Sequence, residues 1–131
     1  MLRRACSGAE DGGVRITHLA LNVRDPERSR RFYVDVLCLE AIADEEEWGY
    51  RVRMADGMTF ALIHGEPPPP EVIDRIHFGS ALPDAQAVHA LRKRLREEGV
   101  EEVQWWEEEG YTSLKVADPD GYVVELSYDV Q

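Results

Sequence analysis

The chain has 131 residues, with 15 Lys and Arg against 26 Asp and Glu, a formal net charge of −11, and 44% hydrophobic residues. This length fits one domain, and the apolar share is enough for a packed core. The acidic excess argues against a nucleic-acid partner and against an anionic membrane surface, because both need a basic face. No apolar run approaches the ~20 residues of a membrane helix. Two isolated cysteines, Cys6 and Cys38, fit a reducing cytoplasmic setting better than a disulfide framework.

The first half of the chain predicts a strand, a helix and three more strands. Residues 1–13 are polar and glycine-rich and predict a flexible tail before a single domain over 14–131. A strand is expected over Arg15–Arg24, where apolar residues alternate with others. Asp25 and Pro26 are typical of a helix N-terminus. The following helix has an apolar stripe of Phe32, Tyr33, Val36 and Leu37. Three strands are expected near 39–46, 48–55 and 58–64.

The second half repeats this order after a proline-rich linker over 65–74. The run Pro67–Pro70 predicts a stiff, extended connection. A strand is expected over Arg75–Ala81 and a helix over Asp84–Glu98, with Gly99 as the residue that ends it. The last three strands are expected near 101–107, 111–117 and 122–128.

Corresponding landmarks in the two halves indicate an internal repeat. A histidine, a helix-capping aspartate and an Asp-Gly turn occur in the same order in each half, at offsets of 59 to 64 residues. The pairs are His18 and His77, Asp25 and Asp84, and Asp56-Gly57 and Asp120-Gly121. The sequence therefore predicts an α+β fold of two βαβββ modules, over about 15–64 and 75–128, related by a pseudo-twofold axis.

Residues at equivalent positions near such an axis face each other, which predicts a metal site. His18 and His77 are equivalent, and Glu125, four residues after Gly121, corresponds to Ala61. Each residue alone is more often an ordinary core or surface side chain, but their symmetric placement favours a shared role. Two imidazoles and one carboxylate with open positions form the ligand set of non-haem iron oxygenases and also suit catalytic zinc. An open position can bind and polarise a substrate oxygen or activate water.

Three segments carry a resemblance to a known family. The chain resembles the vicinal oxygen chelate superfamily, which comprises glyoxalases, bleomycin-resistance proteins and extradiol dioxygenases. The segments are Ile16–Val23, Arg31–Leu37 and Asp118–Leu126. The resemblance covers residues 14–128 and implies an eight-stranded curved open barrel around a divalent metal, with ligands from the first and last strand of each module. It also implies homodimers, in which one site is sometimes completed by ligands from both chains.

The family positions for metal ligands correspond to His18, Ala61, His77 and Glu125, so one of four is vacant. The resemblance therefore implies a metal-dependent enzyme that acts on a small substrate with vicinal oxygens, in a dioxygenase-like or transferase-like reaction, with Fe²⁺, Mn²⁺, Zn²⁺ or Ni²⁺. One alternative is a metal-free drug-binding protein of the bleomycin-resistance type. The other is a glyoxalase- or epimerase-type lyase or isomerase, although relatives of that type use a fourth ligand at the position of Ala61.

Strand alternation also suggests which side chains surround the substrate. Lys115 shares a face with Glu125 and is a candidate acid, base or oxyanion partner, although it could equally be a solvent-reaching lysine paired with a surface acid. The side chains expected to line a substrate pocket are Ser113, Tyr50 and Asn22. Arg51 and Arg53 share a face, but alternation alone leaves open which one. A divalent metal with Lys115 would make the cavity positive enough to accept an anionic substrate.

Overall fold

A computed structural model describes residues 13–42, 47–55 and 57–130. Predictions for the tail before residue 13, for residues 43–46 and for Asp56 fall outside the described residues. Within these ranges no helix is long and apolar enough to cross a membrane. The described chain forms two four-stranded sheets, each with helices on one side. The α+β class and the two βαβββ modules predicted from the repeat are therefore confirmed, and the strands of the two sheets are not closed into one barrel.

The first module places its first strand beside its last. The sheet has the order β1-β4-β3-β2, in which β1 and β4 are parallel and the other pairs are antiparallel. Its strands are β1 His18–Val23, β2 Glu40–Ala41, β3 Gly49–Arg53 and β4 Thr59–His64. Strand β1 starts three residues later than predicted because β4, its neighbour, starts at Thr59 opposite His18. Of the predicted 39–46, strand β2 covers 40–41 among the described residues 39–42.

The helix of the first module begins as the sequence predicts and ends in an unusual way. The Asp25 carboxylate accepts a hydrogen bond from the Arg28 backbone N–H at 3.2 Å, and Pro26 occupies the first helical position. Helix α1, Pro26–Arg31, continues as a π-helical turn, Phe32–Val36. Cys38 then takes a left-handed φ of +62°, a conformation that glycine adopts more easily.

The second module repeats the arrangement with longer strands. Its sheet has the order β5-β8-β7-β6, again with the first and last strands parallel. Its strands are β5 His77–Ala81, β6 Glu102–Glu108, β7 Tyr111–Ala117 and β8 Val123–Asp129. Helix α3, Ala85–Glu97, is capped by the Asp84 carboxylate, which accepts from the Ala87 N–H at 2.8 Å, and Gly99 follows its end with φ +77°. The predicted extended linker instead contains a short helix α2, Pro70–Ile73, which starts where proline fits a first helical turn.

The hydrophobic core lies on the helical sides of the two sheets and joins the modules. Phe60 of β4 and Phe78 of β5 meet edge to face, with ring centroids 4.7 Å apart. Tyr33, which is fully buried, packs against both rings. Such aromatic contacts add to the stabilisation from burying apolar area. The modules therefore share one core rather than two.

A polar cluster, which we call the module clasp, ties the turn before β8 to the helix of the first module. It comprises Tyr33, Asp118, Asp120, Ser29 and Arg28. The Tyr33 hydroxyl donates to Asp118 Oδ2 at 2.7 Å. Asp120 Oδ2 accepts from the Ser29 hydroxyl and its Oδ1 accepts from Arg28 Nη2, both at 3.3 Å. The Asp120 side chain is completely buried, so these donors replace the water that it loses.

Asp118 is the centre of the clasp because both of its oxygens are used. Its Oδ1 accepts hydrogen bonds from the backbone N–H groups of Asp120, Gly121 and Tyr122, with N···O distances of 2.9 to 3.0 Å, which shapes the turn. Burial raises the pKa of the Asp118 carboxyl, although the hydrogen bonds from Tyr33 and the backbone oppose this change. Burial also raises the pKa of Tyr33 well above its usual value, so the hydroxyl stays protonated and donates.

Candidate functional site

The two parallel strand pairs have the same register, which places equivalent residues at equivalent points. In the first module His18 lies opposite Thr59 and Ala20 opposite Ala61. In the second module His77 lies opposite Val123 and Gly79 opposite Glu125. Ala61 and Glu125 therefore occupy the same position relative to the histidine of their own module, as the repeat predicts.

We call the side of each sheet away from its helices its open face. The exposed first residues of β1 and β5, His18 and His77, lie on these faces, whereas their neighbours Leu19 and Phe78 pack against the core. On the first open face lie His18, Ala20, Asn22, Thr59, Ala61, Arg51 and Arg53. On the second lie His77, Gly79, Glu125, Tyr111, Ser113, Lys115, Gln104 and Trp106.

His77 and Glu125 form the centre of the second open face. Glu125 Oε1 lies 3.7 Å from His77 Nε2. The other carboxylate oxygen, Oε2, accepts hydrogen bonds from the Ser113 hydroxyl at 2.8 Å and the Tyr111 hydroxyl at 2.9 Å. These bonds fix the carboxylate plane and leave Oε1 directed towards the imidazole. Protein ligands about 2.0–2.2 Å from a metal are separated from one another by roughly 3 to 3.5 Å, so the spacing of this pair is close to that of two ligands of one ion.

The surroundings of Glu125 keep it ionised. Burial would raise the pKa of this carboxyl, but the hydrogen bonds from Ser113 and Tyr111 and the nearby Lys115 and His77 outweigh burial, so its pKa lies below the usual value. An ionised carboxylate is the form that binds a metal. Lys115 lies directly opposite Glu125 on the adjacent strand, and no carboxylate of the described chain is within ion-pair distance of its ammonium group.

His18 does not join this pair in the described part of a single chain. There, no three His, Cys, Asp or Glu side chains come close enough to hold one metal ion. His18 is exposed, and its Nδ1 lies 3.1 Å from the Thr17 hydroxyl. His64 cannot replace it as a ligand on the first open face, because it lies opposite Val23, on the helical side. One chain therefore presents two of the predicted metal ligands, His77 and Glu125, on the second open face and the third, His18, on the first.

The predicted pocket residues do not all share one surface. Ser113 lies on the second open face beside Glu125, and Asn22 lies on the first open face, where its amide donates to the Glu66 carbonyl at 3.4 Å. Tyr50 lies on the helical side instead, opposite Leu62, with the Arg30 guanidinium 5.2 Å from its ring centre. The physical reason is that a tyrosine ring can cover a core as readily as line a pocket, so alternation alone did not fix its side.

Two aromatic side chains that the predicted pocket did not include also contribute to the second open face. Tyr111 hydrogen-bonds Glu125, and Trp106 lies opposite Ser113 with 53% of its surface exposed. The register of β7 could have indicated Tyr111, which precedes Ser113 and Lys115 at the same alternate positions. Trp106 required knowing that β6 has a register shift between Glu102 and Gln104.

A cavity of about 460 Å³ lies elsewhere, on the helical side between the modules. Apolar side chains of both modules line most of it, including Leu37, Phe60, Leu82 and Leu91. Its size is in the range of small-molecule sites. Cys38, which is free and exposed, also lines this cavity.

Residues 15–126 match the profile of the Glyoxalase/Bleomycin resistance protein/Dioxygenase superfamily. The chain belongs to this superfamily. The match spans both modules, so it includes the strands that carry His18, His77 and Glu125. No curated protein matches the sequence. The resemblance read from the sequence motifs is therefore confirmed at the level of the family.

Solved structures share the fold at low sequence identity. A glyoxalase/dioxygenase from Nostoc punctiforme matches with a TM-score of 0.77 and 19% identity, covering 100% of this chain and 99% of the other. A lactoylglutathione lyase from Agrobacterium tumefaciens gives 0.70 and 20%, covering 86% and 92%. TnmS3, an antibiotic-binding protein from Streptomyces sp. CB03234, gives 0.69 and 22%, covering 88% and 96%. Because enzymes and a binding protein share the fold, the fold alone does not identify the function of this member.

Proposed function

We propose that the protein is a divalent-metal-dependent enzyme that acts on a small substrate with vicinal oxygens. Its metal is held by His77 and Glu125 of one chain and by His18 of a second chain in a homodimer. The candidate ions are Fe²⁺, Mn²⁺, Zn²⁺ and Ni²⁺, which two imidazoles and a carboxylate all suit.

The observation that carries this proposal is the geometry of His77 and Glu125. One carboxylate oxygen is occupied by Ser113 and Tyr111, and the other faces His77 Nε2 at 3.7 Å. The oxygen that faces His77 accepts no hydrogen bond from the described residues, so it is available to a metal ion. The hydrogen bonds from Ser113 and Tyr111 would also hold the carboxylate in the orientation of a ligand.

The position of His18 supports completion of the site by a second chain. It occupies the place in the first module that His77 occupies in the second, and it is exposed on an open face. A twofold dimer brings the same patch of each chain to its partner, so two identical sites form at once. Ala61 offers no donor, which leaves coordination positions for the substrate.

The chain's own groups would bind and orient the substrate. A bound divalent metal would supply Lewis-acid polarisation of the substrate oxygens. Lys115, beside Glu125 on the open face, would donate or accept a proton, or stabilise a developing oxyanion. Trp106 would cover one side of the site and exclude water. With no fourth ligand at Ala61 to act as base, dioxygenase-like or transferase-like chemistry is favoured over the glyoxalase and epimerase type.

A metal-free small-molecule-binding protein is the second candidate. The fold shared with TnmS3 and the absence of a three-ligand cluster within the described part of one chain favour it. The two candidates differ in one measurable property, which is metal content.

Metal analysis of protein purified without added metal tests the proposal. We expect close to one divalent ion per chain in the wild type, and loss of the ion in His77→Ala, Glu125→Gln and His18→Ala. His89→Ala is the matched control, because His89 lies on helix α3 and pairs with Glu107. Metal that survives Glu125→Gln, or a wild type that binds no metal under any loading condition, would reject the metal site.

Mixed dimers test whether the site spans two chains. In a heterodimer of His18→Ala with Glu125→Gln, one site combines both defects and the other has all three native ligands. Random mixing of these two variants, neither of which should bind metal alone, should therefore restore about a quarter of the metal sites. A site built within one chain would stay empty in the mixture, since every chain carries a defect.

A further inference from the structure

The first open face carries two arginines whose side the sequence left undecided. Arg51 lies opposite Ala61 and Arg53 opposite Thr59, so both start from the face of His18. Arg53, the last residue of β3, also borders the cavity on the helical side. We propose that Arg51 and Arg53 form an anion subsite that binds a carboxylate or phosphoryl group of the substrate. The inference rests on the proposed function for the metal-binding end of that substrate.

Sheet geometry sets the distance between the metal-binding end of the substrate and its anionic end. His18, Thr59 and Arg53 lie in one row across β1, β4 and β3. Neighbouring strands are about 4.8 Å apart, so the backbones of His18 and Arg53 are separated by roughly 10 Å. A substrate that binds metal beside His18 therefore reaches the arginines with an anionic group a few bonds from its vicinal oxygens.

The sheet surface between His18 and the two arginines carries small, uncharged side chains. The adjacent row consists of Ala20, Ala61 and Arg51, so only two methyl groups lie beside the second guanidinium. The vacancy at Ala61 consequently has two effects. It removes a fourth metal ligand, and it clears a path across the sheet from the metal to Arg51.

The charges of the face favour an anion. No carboxylate of the described chain lies within ion-pair distance of Arg51, and Arg53 has a loose pair with Glu40 at 3.7 Å, in which both side chains are largely exposed. Glu40 is the one acidic strand residue on the described part of this face. A protein with a net charge of −11 that keeps two arginines side by side here can attract an anion locally, and a guanidinium binds carboxylates and phosphates in bidentate fashion.

The first experiment uses metal-free protein at low ionic strength, titrated with inorganic phosphate and with acetate by NMR. We expect saturable shifts of β3 amides in the wild type and their loss in Arg51→Ala/Arg53→Ala. The control Arg94→Ala/Arg96→Ala removes the same charge from helix α3 and should bind like the wild type. The anion that binds more tightly identifies a phosphoryl or a carboxylate substrate. Equal binding by both double variants would overturn the subsite.

The second experiment uses zinc-loaded protein and calorimetry with two catechols. One is 4-ethylcatechol, and the other is 3-(3,4-dihydroxyphenyl)propionate, which adds a carboxylate tail. We expect the tail to improve affinity by about tenfold in the wild type and not in Arg51→Ala/Arg53→Ala, with 4-ethylcatechol binding unchanged. Tail preference that persists in the variant overturns the inference while the metal site stands. If the wild type does not bind zinc but its anion binding is lost in Arg51→Ala/Arg53→Ala, the metal site is rejected while the subsite stands.

Discussion

Replacing Tyr33 with phenylalanine tests whether the module clasp holds the two halves together. The change removes one oxygen atom from a fully buried ring and leaves the aromatic contacts to Phe60 and Phe78 in place. Asp118, only 5% exposed, then loses the donor 2.7 Å from its Oδ2, and water cannot replace it easily. A hydrogen bond to a charged group contributes about 1.5–3 kcal/mol, so the free energy of unfolding should fall by that amount at pH 7.

The pH dependence of this loss provides a sharper test. The folded pKa of Asp118 is raised, so the folded state binds its proton more tightly than the unfolded state does. The stability linked to that proton is present at low pH and is lost as the pH rises through the folded pKa. Because the Tyr33 hydroxyl favours the charged form, Tyr33→Phe should raise this pKa further. The destabilisation should therefore shrink as the pH is lowered and Asp118 is protonated.

Urea denaturation followed by tryptophan fluorescence and by circular dichroism measures the effect. Tyr128→Phe is the matched control, because it removes a hydroxyl beside the same core with no partner among the described residues, and it should change stability by less than about 0.5 kcal/mol. A Tyr33→Phe loss no larger than that of the control, or one that grows in acid, would refute the role assigned to the clasp.

Three further changes have defined outcomes. Cys38→Gly should stabilise the fold by about 1 kcal/mol, because φ +62° costs a residue with a Cβ more than it costs glycine. Gly49→Ala should destabilise by at least about 2 kcal/mol, since its Cβ would lie 1.8 Å from the Leu62 carbonyl oxygen. Glu102, whose pKa is lowered chiefly by the Arg92 hydrogen bond, contributes stability present above its unfolded pKa and lost as the pH falls through its folded pKa. Glu102→Gln should therefore cost about 1 kcal/mol at pH 7 and nothing in acid.

Each of these changes has a control of its own, and urea denaturation is the measurement for all three. Cys38→Ala removes the thiol and keeps the strained angle, so stabilisation by alanine as large as that by glycine would exclude backbone strain as the cause. A Cβ at Gly57 meets nothing within 4 Å, so Gly57→Ala should cost less than Gly49→Ala. Glu98→Gln removes a more exposed carboxylate, which pairs with Arg94. If its stability changes with pH as much as that of Glu102→Gln, partial burial does not strengthen the Glu102–Arg92 pair.

The repeat made most of the fold predictable from the sequence. Asp25 and Asp84 cap helices as expected, and the predicted equivalence of Ala61 and Glu125 agrees with the register of both parallel strand pairs. These features depend on local signals, namely caps and period-two alternation. The sequence did not predict the short helix α2 or the end of β2 at Ala41, because each depends on which neighbours a segment finds in space.

The site could be predicted only in part for a related reason. Alternation correctly grouped Ser113 and Lys115 with Glu125, since side chains two residues apart on one strand share a side. It could not decide the side of Tyr50 or of Arg51, because strand β3 carries large polar side chains on one face and a tyrosine beneath α1 on the other. The distance between His18 and His77 depends on how folded modules or chains pack against each other, which no local sequence pattern encodes.

The module clasp also limits how the protein can move. Asp118 and Asp120 lie at the seam between the halves, and rotating one module against the other would pull their carboxylates from Tyr33, Ser29 and Arg28. Breaking buried, charge-assisted contacts of this kind costs several kcal/mol. A rocking motion of the two sheets is therefore a poor way to enclose a ligand here. A ligand at either open face therefore meets two modules that are held in one fixed relative orientation.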